Sequence, residues 1–486
     1  MKTPGVYIEE TNAFSNSMVG VPTNIPAFVG YTEKAVLNSQ DLTHVPTPIG
    51  SMQEYQQLFG SGPIPVFQFN GQNAHTAFQW KRNSGLLYDA LQLFFMNGGG
   101  LCYIVSIGSY DAAPDKSDFF GTDATMRSKQ GLKGIDTLTK ESTPSLLVVP
   151  DAVLLSESDF HAVYNHMLKH CGSMKNRFAI LDIWQGYLPR TNQPDTDVID
   201  RFRDGIDQFL QWGAAYYPWI HTKLHQANSV SLANVTIESR SALADALKTE
   251  GIIDRIDQIV KTTDATALQT LHQKLTAQSP LYRSVMASLL EQMNLTPPCG
   301  AIAGIYVYTD QQSGVQQAPA NVGVAGADRV AVIIKDTEQV DLNMPVSGKA
   351  VNAIRAFPQG ILVWGARTLD GNSQDWRYIN VRRTVIYIEQ SIQTVSVSYV
   401  FEPNIQATWI NVRSSIEGFL INLWQSGVFA GSSPSEAFKV QVGLGSTMTQ
   451  QDILDGLMRV TVLVAIMHPA EFIELTFEIK MQHLNT

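Results

Sequence analysis

The chain has 486 residues, enough for roughly two to four domains. Lys and Arg total 34 against 44 Asp and Glu, a net charge of −10, which argues against a general nucleic-acid or anionic-membrane binder. Only 16% of residues are charged, against about 25% in an ordinary soluble domain, so much of the surface is expected to be covered in use.

No apolar run approaches the roughly 18 to 20 residues of a membrane span, and Met1 is not followed by the basic and apolar regions of a signal peptide. The expectation is a chain made and folded in the cytosol. Cys102, Cys171 and Cys299 lie far apart and form no C-x-x-C pair, so each reads as a small buried apolar side chain.

In chain order, MKTPGVYIEE predicts a short strand carrying Val6, Tyr7 and Ile8, with no hairpin partner nearby. Residues 9–24, rich in Ser, Asn, Gly and Thr, read as a flexible tether able to span on the order of 50 Å. IPAFVGYTEKA is a strand, and LLYDALQLFFMNGGGLCYIVSIG is a helix stopped by glycines and followed by a strand. SLLVVPD and RFAILDI are buried strands around a helix in DFHAVYNHMLKH. DTDVIDRFRDGIDQFLQWG reads as a further helix and AAYYPWI as a further strand, so the pattern is an α/β sheet with at least partly parallel pairing. Residues 228–296, rich in Ala, Leu, Gln and Lys at helical spacing, predict a helical insertion.

In the last third, Val381, Val385, Ile388, Ile392, Val395 and Tyr399 mark one face of a long helix. A second helix follows Pro403 and Asn404 and closes at Gly427. Near the end, Ile473, Leu475, Phe477, Ile479 and Met481 alternate with polar residues in a strict period of two, the mark of a half-buried strand. Strands at both ends, the first on a tether, point to strand donation between subunits.

Several blocks, read in order, now carry a resemblance. They are TPGVYIEE, PTNIPAFVGYTEKA, LQLFFMNGGGLCYIVSIG, TPPCGAIAGIYVYTDQQSGVQQAPAN, RAFPQGILVWGARTLDGNSQDWRYINVRRT, VFEPN and PAEFIELTFEI. With them the chain resembles the tail sheath family of contractile phage tails, R-type pyocins and extracellular contractile injection systems, over about 3–225 and 297–482. The resemblance implies an α/β and α+β multidomain subunit without enzymatic activity or cofactor. Such subunits stack as hexameric rings around an inner tube and contract to drive it through a membrane. It implies an N-terminal strand and tether over 1–24, a first α/β region over 25–110 and an outer α/β, subtilisin-like sheath domain over 111–350. An inner C-terminal domain over 351–486 follows. Val6, Tyr7 and Ile8 would be one exchanged strand, and Ile473, Leu475, Phe477 and Ile479 the other. The implied partners are further copies of the chain, an inner tube protein, and baseplate and terminal cap proteins, with no nucleic acid and no membrane insertion. The implied setting is a particle assembled in bacterial or host cytoplasm and then released or anchored at the envelope. The helical insertion departs from the compact core of the family and, with no separate recycling helix, favours a single-use injection system.

In relatives a helix near Asn404 to Gly427 meets the inner tube through charged contacts, which places Arg413 and Glu417 as tube-facing residues; their i, i+4 spacing equally fits a local salt bridge. Arg382 and Arg383 would line the same face or anchor the preceding loop.

Other chemistries are weakly signalled. MNGGG follows a helix and lacks Gly-Lys-Ser/Thr, so it reads as a helix stop rather than a phosphate loop. His166 and His170 are four apart beside Cys171 but lack the glutamate of H-E-x-x-H. Asp195, Asp197, Asp200 and Asp204 fit a helix cap and a solvated face better than a calcium loop. No serine sits in a nucleophile-elbow context. The competing readings are an α/β hydrolase or metal-dependent enzyme with a site dispersed in the middle of the chain, and a baseplate or adhesion scaffold. A sheath subunit forms tubes or filaments on expression, whereas an enzyme stays a discrete oligomer.

Overall fold

A computed structural model describes residues 20–69, 85–121, 132–191, 193–252 and 256–471. The strands Val6 to Ile8 and Ile473 to Ile479 expected at the two ends lie outside these residues.

The runs of Val, Ile, Leu and Phe that read as buried strands assemble into one eight-stranded sheet. Its strands are β1 (Pro26–Thr32), β2 (Thr47–Ile49), β3 (Cys102–Ser109), β4 (Leu146–Val148), β5 (Phe178–Asp182) and β6 (Gly213–Tyr217). A three-stranded sheet of β7 (Ile220–Thr222), β8 (Leu295–Thr296) and β9 (Ala327–Val330) lies beside it. The large sheet closes with β10 (Val351–Phe357) and β11 (Gly360–Trp364), in the order β11-β10-β6-β5-β4-β1-β3-β2. All central pairs are parallel, and the outermost pair at each edge is antiparallel. Every residue of β1, β4, β5 and β6 is buried, as parallel strands covered on both faces require. The sheet draws strands from both sides of residues 110 and 350, so neither position separates packing units. AAYYPWI proves to be two strands, β6 and β7, in different sheets. The long helix expected in DTDVIDRFRDGIDQFLQWG ends at Gly205, and the chain then runs through an extended Ile206 to a short turn of helix at Leu210–Trp212.

The helices that matter here are α1 (Leu87–Met96), α2 (Glu157–Met174) and α3 (Val198–Gly205). Then come the four of the insertion, α4 (Ile237–Leu247), α5 (Ile256–Lys261), α6 (Ala265–Gln278) and α7 (Pro280–Met293). Beyond them lie α8 (Cys299–Ser313), α9 (Asp336–Asn343), α10 (Ile379–Ser396) and α11 (Gln406–Gln425). Helices α4 to α7 enclose a hydrophobic core of their own, with Leu243, Leu247, Leu275, Val285 and Leu289. Phe67 belongs to that core and ties it to the preceding chain, donating its N–H to Asn234 O at 2.9 Å and accepting from Thr236 N–H at 3.0 Å.

In parallel α/β sheets, ligands usually bind beyond the carboxyl ends of the strands, where strand order reverses. Here that position is filled by protein. Asp151, just past β4, accepts from Leu86 N–H at 2.5 Å and Leu87 N–H at 3.2 Å at the start of α1, and from Tyr31 N–H at 2.6 Å. Asp182, at the end of β5, accepts from Cys299 N–H at 3.0 Å at the start of α8. Both side chains are fully buried at the positive ends of the two helices.

Burial pushes the Asp182 carboxyl up to about 7, against the opposing hydrogen bonds from Cys299. The unfolded group titrates near about 3.9. A carboxyl raised on folding gives stability that is full below the unfolded value and is lost as pH rises through the folded one, here between about 4 and 7. The difference is on the order of 4 kcal/mol. Asp182→Asn keeps an acceptor for Cys299 without the charge. The urea midpoint of the variant is expected to fall much less between pH 5 and pH 8 than that of the parent. Parallel pH profiles would show that Asp182 does not titrate in this range.

Candidate functional site

The last third of the chain forms a small lobe on one long helix. The apolar stripe read in the sequence gives α10, whose Ile379 and Ile386 belong to the core of the large sheet while Ile388 belongs to a separate core with Val412, Ile416, Phe419, Leu420 and Val440. One helix thus runs through both cores. Helix α11 starts at Gln406, with Ile405 as its N-cap residue, and ends before Gly427, whose φ of 79° provides the left-handed turn that stops it.

Two strands that the sequence reading passed over, β12 (Phe438–Val442) and β13 (Val460–Val464), complete the lobe as an antiparallel hairpin from Phe438↔Val464 to Val442↔Val460. Their signal is the alternation of FKVQV and the valines two apart in VTVLV, where Leu463 breaks the polar face. Val440 faces the core, while Lys439 and Leu463 face outward. Among the described residues no third strand joins either edge, so both edges offer backbone donors and acceptors for strand addition. Val397, Phe401, Ile410, Leu454 and Leu463 are exposed on the same lobe, Phe401 completely. Apolar exposure on this scale marks a surface that is covered by a partner.

The described chain enters along α10 and leaves beside its first turn. At the entry, Val21 N–H donates to Ser391 Oγ at 3.2 Å, and Thr23 Oγ1 donates to Asp310 Oδ2 at 2.7 Å. Residues 20–24 are therefore docked, a correction to the tether expected up to residue 24. At the exit, Glu471 takes a two-pronged contact from Arg367, Nε to Oε1 at 2.8 Å and Nη2 to Oε2 at 2.5 Å, and accepts from Tyr378 Oη at 3.2 Å. Burial would raise the Glu471 carboxyl, but the bonds and charge of Arg367 hold it below the ordinary glutamate range. Neither anchor was read from the sequence, because each joins residues about a hundred or more positions apart.

Two of the residues expected to face an inner tube lie inside the protein. Arg382 is held between the rings of Trp212 and Trp376, 4.2 Å and 4.3 Å from their centroids. Arg383 forms a buried pair with Asp310 at 2.6 Å, lies 4.8 Å from the Tyr306 ring, and donates to Thr23 O at 3.0 Å. Burial pulls its pKa down, and the Asp310 charge more than restores it. Both arginines knit α10 to its surroundings, which corrects their placement on a tube-facing surface and agrees with the alternative of a loop anchor for Arg382, which stacks on Trp376 in the preceding loop. Arg413 and Glu417 remain on the surface of α11, where Arg413 Nε donates to Glu417 Oε1 at 2.7 Å.

The weaker candidates also find internal partners. His166 pairs with Asp136 at 2.8 Å and stacks on Phe120, while His170 meets Arg177 at 3.2 Å and is pushed by burial down to about 3. Asp197 caps α3, bonding Ile199 N–H and Asp200 N–H, and pairs with Arg190 at 2.8 Å. Asp200 lies near Arg190 and Arg203. Among the described residues no group of three or more His, Cys, Asp or Glu side chains is arranged to hold a metal ion, and no helix is long and apolar enough to cross a membrane.

Comparison with known proteins gives the class. Residues 372–480 match the family described as the phage tail sheath C-terminal domain. Along nearly its whole length the chain has the fold of the contractile sheath proteins. The sheath of the PVC extracellular contractile injection system in its contracted state superposes with a TM-score of 0.61 at 26% identity, covering 98% of each chain. The contracted helical sheath of the anti-feeding prophage gives 0.63 at 28% identity, over 98% of this chain and 99% of that one. A chain of the anti-feeding prophage baseplate gives 0.62 at 28% identity, over 99% and 100%. The tail sheath protein of Vibrio phage KVP40 is 30% identical over 139 residues, 27% of this chain and 20% of that protein, so that alignment spans only a fifth of the relative's length.

Proposed function

We propose that the chain is the structural subunit of a contractile injection system sheath. The observation that carries this reading is the nearly full-length likeness to two contracted sheaths, one from the PVC system and one from the anti-feeding prophage. The filled carboxyl ends of the sheet, where Asp151 and Asp182 cap helices, support a role without catalysis. The likeness to a baseplate chain of the anti-feeding prophage supports baseplate components as partners.

In this reading the subunits stack as hexameric rings around an inner tube and remain joined by exchanged strands while the particle contracts. Val6, Tyr7 and Ile8 of one copy, and Ile473, Leu475, Phe477 and Ile479 of another, would add to the open edges of the β12–β13 hairpin. Backbone hydrogen bonds survive rotation of neighbours better than a rigid face does, which suits a lattice that rearranges without dissociating. Faces brought together on contraction gain about 25 cal/mol per Å² of apolar area, and repetition through the lattice multiplies the gain. Arg413 and Glu417 are the surface charges of α11 that an inner tube would meet. The particle is a phage tail or a tail-like device assembled in cytoplasm and completed by a terminal cap.

The test is assembly. The purified chain is expected to form tubes in negative stain, and deletion of residues 1–10 to leave a subunit with unchanged circular dichroism that forms none. Normal tubes from the deletion variant would remove the N-terminal strand from the linkage.

A further inference from the structure

A cleft of about 510 Å³ lies between α9, the turn at residues 316–321, the end of β11 and the exit strap at residues 467–471, every residue of which lines it. Two amides on its other walls are half used. Asn380, buried, donates its side-chain nitrogen to Gln316 O at 2.9 Å and Met467 O at 3.4 Å, which fixes the orientation of the amide and leaves Oδ1 without a partner. Gln339 donates to Trp364 O at 3.4 Å, and its Oε1 has no partner either. Both oxygens are shut off from solvent, and a buried acceptor left open destabilises the arrangement that leaves it so.

The strap carries the complementary groups. The N–H groups of His468, Ala470 and Glu471 reach no acceptor among the described residues, and His468 and Ala470 are exposed. The strap is also held unevenly. At its start the contacts are long, Met467 N–H to Val428 O at 3.5 Å and Asn380 to Met467 O at 3.4 Å, outside the usual range of about 2.7–3.2 Å. At its end Glu471 is fixed by two bonds from Arg367, one from Tyr378 Oη and one from the Asn343 side chain, while the His468 ring leans on the Tyr378 ring at 5.5 Å. A segment with few bonds of its own, pinned through one side chain, belongs to the part of a structure that opens most easily.

We propose that the strap has two seats: the outer one described here, held by Glu471, and an inner one within the cleft, in which its free N–H groups bond Asn380 Oδ1 and Gln339 Oε1. The cleft supplies the room and the two open acceptors supply the pull. The seats compete because His468 and Ala470 stand one to three residues from Glu471, so seating their N–H groups in the cleft draws Glu471 away from Arg367. Two discrete arrangements of one short segment, biased by a single ion pair, make a switch. Loss of the Arg367 contact sends the strap inward and shifts the point at which the chain leaves the lobe. The switch is a property of the single subunit and does not depend on the sheath reading.

The test places a thiol on the strap of the full chain, Ala470→Cys, and follows its rate of reaction with DTNB. The native Cys102, Cys171 and Cys299 are buried and stay silent. Ala470 is exposed, so the single variant reacts freely. Adding Glu471→Ala is expected to slow the reaction at least tenfold as the strap moves inward. Adding Gln317→Trp as well, which fills the cleft from an exposed position on its wall, is expected to restore the rate. A rate unchanged or raised by Glu471→Ala shows a strap that stays or swings outward and overturns the inference, as does a slowing that Gln317→Trp leaves in place. If circular dichroism shows that Glu471→Ala unfolds the chain, Tyr378→Phe takes its place, since it removes one bond from Glu471 and keeps the ring. A slowing of at least twofold then supports the two seats, and no slowing refutes them.

Discussion

Replacing Arg383 by methionine is expected to destabilise the subunit by about 3–5 kcal/mol, the range for removing one partner of a buried ion pair. The side chains of Arg383 and Asp310 are 3% and 2% exposed, so the variant leaves the Asp310 carboxylate inside the protein with its main counter-charge gone. It also removes a donor from Thr23 O and a cation from the Tyr306 ring. Urea unfolding would measure the loss. The double variant Arg383→Met, Asp310→Leu is expected to regain most of it, because neither charge then remains to be desolvated. Amide exchange at Val21 and Thr23 is expected to rise in the single variant, since the entry segment hangs on the same pair. A loss below about 1 kcal/mol would mean that water reaches Asp310.

The second large effect is steric. Helices α1 and α8 touch at their backbones, and only glycine permits it. A Cβ on Gly300 would stand 2.2 Å from Ala90 O, and one on Gly304 would stand 2.4 Å from Phe94 O. No side chain can rotate away, because the obstacle is main chain. Gly304→Val is expected to cost about 3 kcal/mol or more, at the upper end of overpacking effects. It would also pull α8 off the Asp182 cap. Gly418, inside α11, provides the opposite case, with nothing within 4 Å of a built Cβ. Gly418→Ala is expected to stabilise by about 0.5–1 kcal/mol through helix propensity alone. Thermal unfolding of the two variants checks both signs.

The central strands were legible because parallel strands buried on both faces are nearly continuous apolar runs, as in SLLVV and RFAIL. Helix α10 was legible from its stripe, yet the same stripe hid Arg382 and Arg383. Charge in a sequence suggests surface, and only the fold places two tryptophans around one arginine and an aspartate against the other. The hairpin β12–β13 was missed although its alternation is clear, because Gly443, Gly445 and Gly456 break the segment between its strands into short pieces. The cleft had no sequence signal at all. Gln316, Gln339 and Asn380 come from three separate elements, and amides have no spacing rule that would pair them.

Helix α10 also sets how the subunit bears load. A pull on residues before Gly20 is delivered to Arg383 and Ser391, and a pull on residues after Glu471 to Tyr378 and Asn380. Asn380, Arg383 and Ser391 lie on one rod of 18 residues, about 27 Å long, and Tyr378 stands just before it. Tension at either end of the chain is therefore shared between that helix and the groups beside it, Asp310 on α8 at the entry and Arg367 at the exit.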